Sequence, residues 1–183
     1  MAYVNDLNRV MRLDGRIYTE MMERGRSLRY SVINVAVLGL IYGFASLHFS
    51  SEVLARSGVA DGHINGVLVV MVGVSVAFLL QGATALFIWV FCRALGGCPH
   101  FMPPYLNLGI AAAALWPLAP LVAMIQVGAS DTVIQIIALA MVAYALAVGY
   151  VAVQAAASLS RPKMMLCAVA TVFYIGCFLY LWT

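Results

Sequence analysis

The chain has 183 residues, of which 64% are hydrophobic and 9% charged, and its mean hydropathy is +0.99. Soluble domains are roughly half apolar and about a quarter charged, so a water-soluble globule is excluded. The net charge of +3 does not point to nucleic acid, because six of the ten basic residues precede residue 30, where they flank the first apolar run and report orientation and contact with anionic lipid.

Residues 1–29 form a polar lead-in that predicts an amphipathic segment lying on the inner leaflet. Val4, Leu7, Met11, Tyr18 and Met21 fall close to one helical stripe, with Arg9, Arg12, Arg16, Arg24, Arg26 and Arg29 elsewhere around the wheel as expected inner-leaflet contacts. Gly15 and Gly25 are expected to bend it. So long a polar stretch, followed by no good small-x-small cleavage site, argues against a cleavable signal peptide.

A bilayer core of roughly 30 Å needs about 20 apolar helical residues, and the remaining residues, 30–183, supply five such runs. The first is 30–49, with Gly39 and Gly43 at the spacing of a close helix contact. The second, 64–95, is long enough that it must tilt or project beyond the lipid. Within it Gln81 and Thr84 share a face and offer a hydrogen bond to another helix. The third, 106–127, carries Trp116-Pro117-Leu118-Ala119-Pro120; each proline removes an amide donor and crowds the preceding turn, so a kink or local unwinding is expected. The fourth, 132–157, holds Ala145, Gly149, Ala152 and Ala156 as a small-residue face, and the fifth is 164–182. The fold expected is therefore all-α: a five-span helical bundle forming one membrane domain behind an interfacial helix.

Orientation follows from the basic residues. With the N-terminus inside, Arg93, Arg161 and Lys163 join the six lead-in arginines in cytoplasmic segments, against Arg56 alone outside. The outer loops then hold Glu52, Asp61 and Asp131, and Trp182 anchors the outer interface. An N-in, C-out protein of a bacterial inner membrane is expected.

Ionisable groups deep in a membrane usually mark ion paths or chemistry, and the five runs contain none away from their ends. The polar residues inside them, Asn34, Ser75, Gln81, Thr84, Gln126, Gln135 and Gln154, with Asn107 near an interface, read first as interhelical hydrogen bonds. Cys92, Cys98, Cys167 and Cys177 have no CxxC spacing and read as reduced and structural. His48 and His63 bracket the outer loop while His100 lies on the other side, so a bis-His haem is not expected. No nucleophile-elbow, phosphate-loop or dinucleotide pattern is present. Neither a catalytic centre nor a metal or cofactor is expected.

The order of features from the second run onward, Phe91-Cys92-Arg93-Ala94-Leu95-Gly96-Gly97, a turn with Phe101 and Tyr105, a small-residue helix bearing Trp116-Pro117, and Ser160-Arg161-Pro162-Lys163 before the last run, resembles the Yip1 family of five-span membrane proteins. That resemblance implies recruitment or scaffolding in a membrane without catalytic residues, and the short loops resemble a bacterial member. The expected function is a membrane scaffold or accessory subunit, whose partners are membrane lipids and other integral membrane proteins or a second copy. Two rivals are a small carrier or channel for a neutral or lipid-like solute, lined at Gln81 and the Pro117–Pro120 break, and an accessory subunit of a redox or photosynthetic complex.

Overall fold

The computed structural model describes residues 2–57, 65–128 and 131–182, with side chains described over 3–52, 65–128 and 131–177. Every regular element among them is a helix: α1 (Ala2–Met11), α2 (Arg16–Glu23), α3 (Ser27–Ser57), α4 (Gly66–Ala94), α5 (Met102–Ala111) continuing into a 3-10 turn (Ala112–Leu115), α6 (Leu118–Gln126), α7 (Thr132–Ala157) and α8 (Arg161–Trp182). Three of these, α3, α4 and α7, are long and apolar enough to cross a membrane, and α5 with its 3-10 turn and α6 make a fourth candidate bent by 71°. Arg56, Asp61 and Trp182, which enter the orientation argument, and His63, which enters the haem argument, lie outside the described side chains.

The ends of the helices follow from local chemistry. Asn65 caps α4 by accepting from the Leu68 amide at 3.2 Å, and Asp131 caps α7 by accepting from the Val133 amide at 3.0 Å. Gly96, at φ +86, lets the chain leave α4 in a left-handed turn, with the Gly97 amide returning to the Cys92 carbonyl at 2.8 Å. Two boundaries depart from the sequence reading. α3 runs eight residues past Phe49, and α5 begins at Met102 inside the expected loop, with Pro103 and Pro104 in its first turn, where a missing amide costs no helical hydrogen bond.

The third run breaks at the prolines, where a kink or local unwinding is expected. The tightened turn at Ala112–Leu115 precedes Pro117, which cannot donate to the turn before it, and the axis swings through 71° there. α3 packs against α4, α5 and α6, with α4 and α5 also touching each other; α7 packs against α5 and α6, and α8 against α4.

Glycines set the α3–α4 spacing. A Cβ at Gly39 would stand 2.5 Å from the Val74 Cα, one at Gly43 2.8 Å from the Val70 Cα, and one at Gly73 2.8 Å from the Gly43 Cα. Backbone meets backbone there, so the small residues of the first run serve a contact inside this chain. In the fourth run no atom of another helix of this chain lies within 4 Å of where a Gly149 Cβ would be. Ala152 and Ala156 of the same face are buried, and Ala145 is half-buried.

Candidate functional site

The lead-in is a helical hairpin seated on the bundle, not one helix with a single stripe. Leu13 adopts φ 63, a left-handed conformation unfavourable for a branched side chain, and the chain turns back there between α1 and α2. Arg9 clasps the turn. Its Nε and Nη2 donate to Asp14 Oδ2 at 2.9 and 2.7 Å, and its Nη1 and Nη2 donate to Glu20 at 2.8 and 2.9 Å. Both carboxyls are held below their ordinary range by the hydrogen bonds from Arg9. Arg9 is thereby engaged with two internal carboxylates, whereas Arg12, Arg16, Arg24, Arg26 and Arg29 are exposed.

The expected stripe is met in part. Val4 is exposed, while Val10, Ile17, Tyr18 and Met21 are the side chains that enter the bundle, packing with Tyr30 of α3, Ile110, Ala111 and Ala114 of the third run, and Val148 and Ala152 of α7. Tyr144 of α7 donates to the Met11 carbonyl at 2.6 Å, and a Cβ at Gly15 would sit 3.3 Å from Val151. Burial raises the pKa of Tyr18, with Tyr144 adding to the effect, and that of Tyr3, with Tyr30 adding. Both phenols are thus held neutral.

Asn34 is the hub beneath this hairpin. It is fully buried, accepts from the Tyr3 hydroxyl at Oδ1, and donates from Nδ2 to the Ile110 carbonyl at 2.8 Å. Trp116, at the break, donates from Nε1 to the Asn34 carbonyl at 3.0 Å. One residue of α3 therefore ties α1, α5 and the bend together. Beside it Tyr30 donates to Oδ2 of Asp6 at 3.3 Å, and Tyr3 and Tyr30 meet edge to face at 4.9 Å. Asp6, only 5% exposed, is a buried carboxylate that the sequence reading did not identify, since it lies outside the apolar runs and only the folding-back of α1 buries it.

A second polar level adjoins the first. Gln81 donates from Nε2 to the Tyr105 carbonyl at 3.0 Å and to Ser31 Oγ at 3.4 Å, so it does bridge helices as its position suggested. Asn107 donates to the Ala152 carbonyl at 3.1 Å, joining α5 to α7. The amide oxygens Gln81 Oε1 and Asn107 Oδ1 are buried without a protein partner. Gly109 has no room for a side chain: its Cβ would overlap Ser31 Oγ and stand 2.5 Å from Gln81 Nε2. Thr84 is half-buried one turn from Gln81, Pro117 is exposed and Pro120 half-buried.

Near the end of α4 a different group assembles. Cys92 and Cys167 are each 1% exposed and their sulfurs are 3.4 Å apart, with a stacked Phe87–Tyr174 pair further along the same two helices. Trp89 donates to the Pro99 carbonyl at 3.2 Å, with the Arg93 guanidinium 5.4 Å from its ring centre, and Lys163 donates to the Leu95 carbonyl at 2.7 Å. Among the described residues no three metal-ligating side chains converge.

Comparison with known proteins finds no matching family model, no matching curated protein and no matching solved structure.

Proposed function

We propose that this protein is a non-catalytic integral membrane scaffold or accessory subunit, in which an amphipathic hairpin is latched onto a helical bundle that packs laterally against other membrane proteins. The observation that carries this reading is the use of the interior amide side chains as ties between helices. Asn34 joins three elements, Gln81 and Asn107 each bridge two helices, and Gly109 closes the space between them. An interior committed in this way leaves the outer faces as the working surface. Those faces are broad and apolar, as at Leu79 and Val67 of α4, Leu139 and Ile136 of α7, and Phe173 and Met165 of α8.

In this reading α8 completes a five-span protein with the hairpin in the cytoplasm and the C-terminus outside, in a bacterial inner membrane. The support is the distribution of basic residues. The resemblance to the Yip1 family rests on the sequence features alone. The test is purification from native membranes in mild detergent, without crosslinking, followed by native mass spectrometry. A defined partner or a homo-oligomer is expected; a solitary monomer with bound lipid only would overturn the proposal.

One observation favours a second reading, a carrier for a neutral or lipid-like solute. The third run breaks by 71° at Trp116–Pro117, and against its earlier turns the amide oxygens of Gln81 and Asn107 are buried without a protein partner, features that discontinuous helices of carriers combine. That reading requires Gln81→Leu and Pro117→Ala to abolish solute flux into reconstituted vesicles while leaving assembly intact.

A further inference from the structure

Cys92 and Cys167 are separated by 75 positions in the chain, yet their sulfurs lie in van der Waals contact. The packing of three helices brings them together. Ile88 and Cys92 of α4, Val153 and Ala157 of α7, and Met164 and Cys167 of α8 form one buried cluster, bordered by Phe87, Phe91 and Leu159 among others. A disulfide needs sulfurs about 2.05 Å apart, so from 3.4 Å each must move only about 0.7 Å, a shift within the reach of a small χ1 adjustment.

Both thiols are sealed from solvent, so an oxidant in water needs an entry point, and the loop after α4 supplies one. Cys98 is partly exposed. Its own amide donates to the Ala157 carbonyl at 3.0 Å, and the adjoining Gly97 amide donates to the Cys92 carbonyl at 2.8 Å. These two bonds fold the loop over the end of α4 and hold the Cys98 backbone beside the last turn that carries Cys92, while the Cys98 thiol donates to the His100 carbonyl at 3.8 Å. The surroundings are cationic: Arg93 precedes the loop, and Lys163 reaches across to the Leu95 carbonyl.

We propose that Cys92 and Cys167 are a reversible disulfide modification site that ties α8 to α4, loaded through Cys98 by an anionic low-molecular-weight disulfide. The Cys98 thiolate attacks one sulfur of the reagent, forming a mixed disulfide and expelling the first reagent thiolate. Cys92 attacks the Cys98 sulfur and expels the second reagent thiolate, which takes up the Cys92 proton. Cys167 attacks the Cys92 sulfur and expels the Cys98 thiolate, which takes up the Cys167 proton. Two protein thiols are oxidised, one reagent disulfide is reduced to two thiols, and Cys98 is regenerated. The site is a property of this chain's own packing and holds for either reading of its function.

The experiment uses the full-length protein in mild detergent with oxidised glutathione as the reagent, followed by alkylation and peptide mapping without reduction. The expected product is a Cys92–Cys167 crosslink that dithiothreitol removes, with Cys98 free to be alkylated. In Cys98→Ser the same crosslink is expected to form about tenfold more slowly or worse, since the direct attack must reach a buried sulfur. Glutathione retained on Cys98 with Cys92 and Cys167 still alkylatable would overturn the site. An unchanged rate in Cys98→Ser would overturn the entry route. Mapping of the wild-type chain decides the pairing by itself, so the result does not depend on how any variant folds.

Discussion

Gly39→Ala tests whether backbone contact between α3 and α4 sets the spacing of the bundle. The new Cβ would stand 2.5 Å from the Val74 Cα and 3.1 Å from the Gly73 carbonyl oxygen, whereas carbon atoms in contact prefer about 3.5–4.0 Å. The obstacle is backbone on a long helix, so no side chain can rotate away, and the two helices must part by about 1 Å. Overpacking of this kind costs about 1–3 kcal/mol. Alanine in place of a helical glycine returns up to about 1 kcal/mol of helix propensity. The net expectation is a loss of about 1–2 kcal/mol, larger in the Gly39→Ala/Gly43→Ala double variant but not the simple sum, because the two sites share the same interface. Equilibrium unfolding in mixed micelles, titrating a denaturing detergent and following helical circular dichroism, measures it. Gly149→Ala is the control, since nothing lies within 4 Å of its new methyl group; it is expected to be neutral or slightly stabilising. Equal stability of Gly39→Ala and Gly149→Ala would refute the argument.

Asn34→Leu keeps the approximate volume while stranding the Tyr3 hydroxyl and the Ile110 carbonyl, so a loss of about 1–3 kcal/mol for the exposed deficit is expected together with faster hydrogen exchange throughout α1. Tyr3→Phe should cost less, about 1 kcal/mol; destabilisation by Asn34→Leu with no change in α1 exchange would mean that the hairpin is not latched through this residue. The Arg9 clasp predicts a pH dependence with a definite sign. Asp14 and Glu20 have ordinary values of 3.8 and 4.5 and are lowered in the folded chain, so their contribution is fully present above about pH 5 and is lost as the pH falls through the lowered values. Exchange of the amides from Arg12 to Ile17, corrected for intrinsic rate, should rise in acid, and Arg9→Gln should show the raised level already at neutral pH with a flatter acid response. A wild-type turn equally protected at pH 3 and pH 7 would count against the clasp.

The helices were legible because lipid as a solvent demands long uninterrupted apolar runs, and residues such as Gly39, Gly43 and Gln81 announce by size or polarity that something must approach them. The break was legible as chemistry, in two prolines without amides, but not as an angle: 71° depends on how α6 finds its place against α3, where Tyr42 donates to Gln126 at 2.7 Å. The hairpin was half-legible. Its amphipathicity marks a face to be covered but does not say whether lipid or protein covers it, and the left-handed Leu13, which decides that α1 and α2 fold back on each other, has no sequence signal of the kind a glycine would give. Asp6, Asn34 and the Cys92–Cys167 pair depend on helix rotation and register across long separations. Periodicity within one segment carries no information about either.

Register also bears on why α4 is so long. At about 1.5 Å per residue its 29 residues measure about 43 Å, against a hydrocarbon core of roughly 30 Å. α3 meets α4 through Gly43 at Val70, Gly39 at Val74 and Ser31 at Gln81, whereas α8 meets it through Tyr174 at Phe87 and Cys167 at Cys92. The two contact zones follow one another along α4 without overlapping. The charged hairpin abuts the start of α3, where Tyr30 reaches Asp6, and its exposed arginines cannot stand in hydrocarbon. In the last turns of α4 the Arg93 guanidinium stands over the Trp89 ring, a pairing of cation and aromatic of the kind that suits a membrane–water interface.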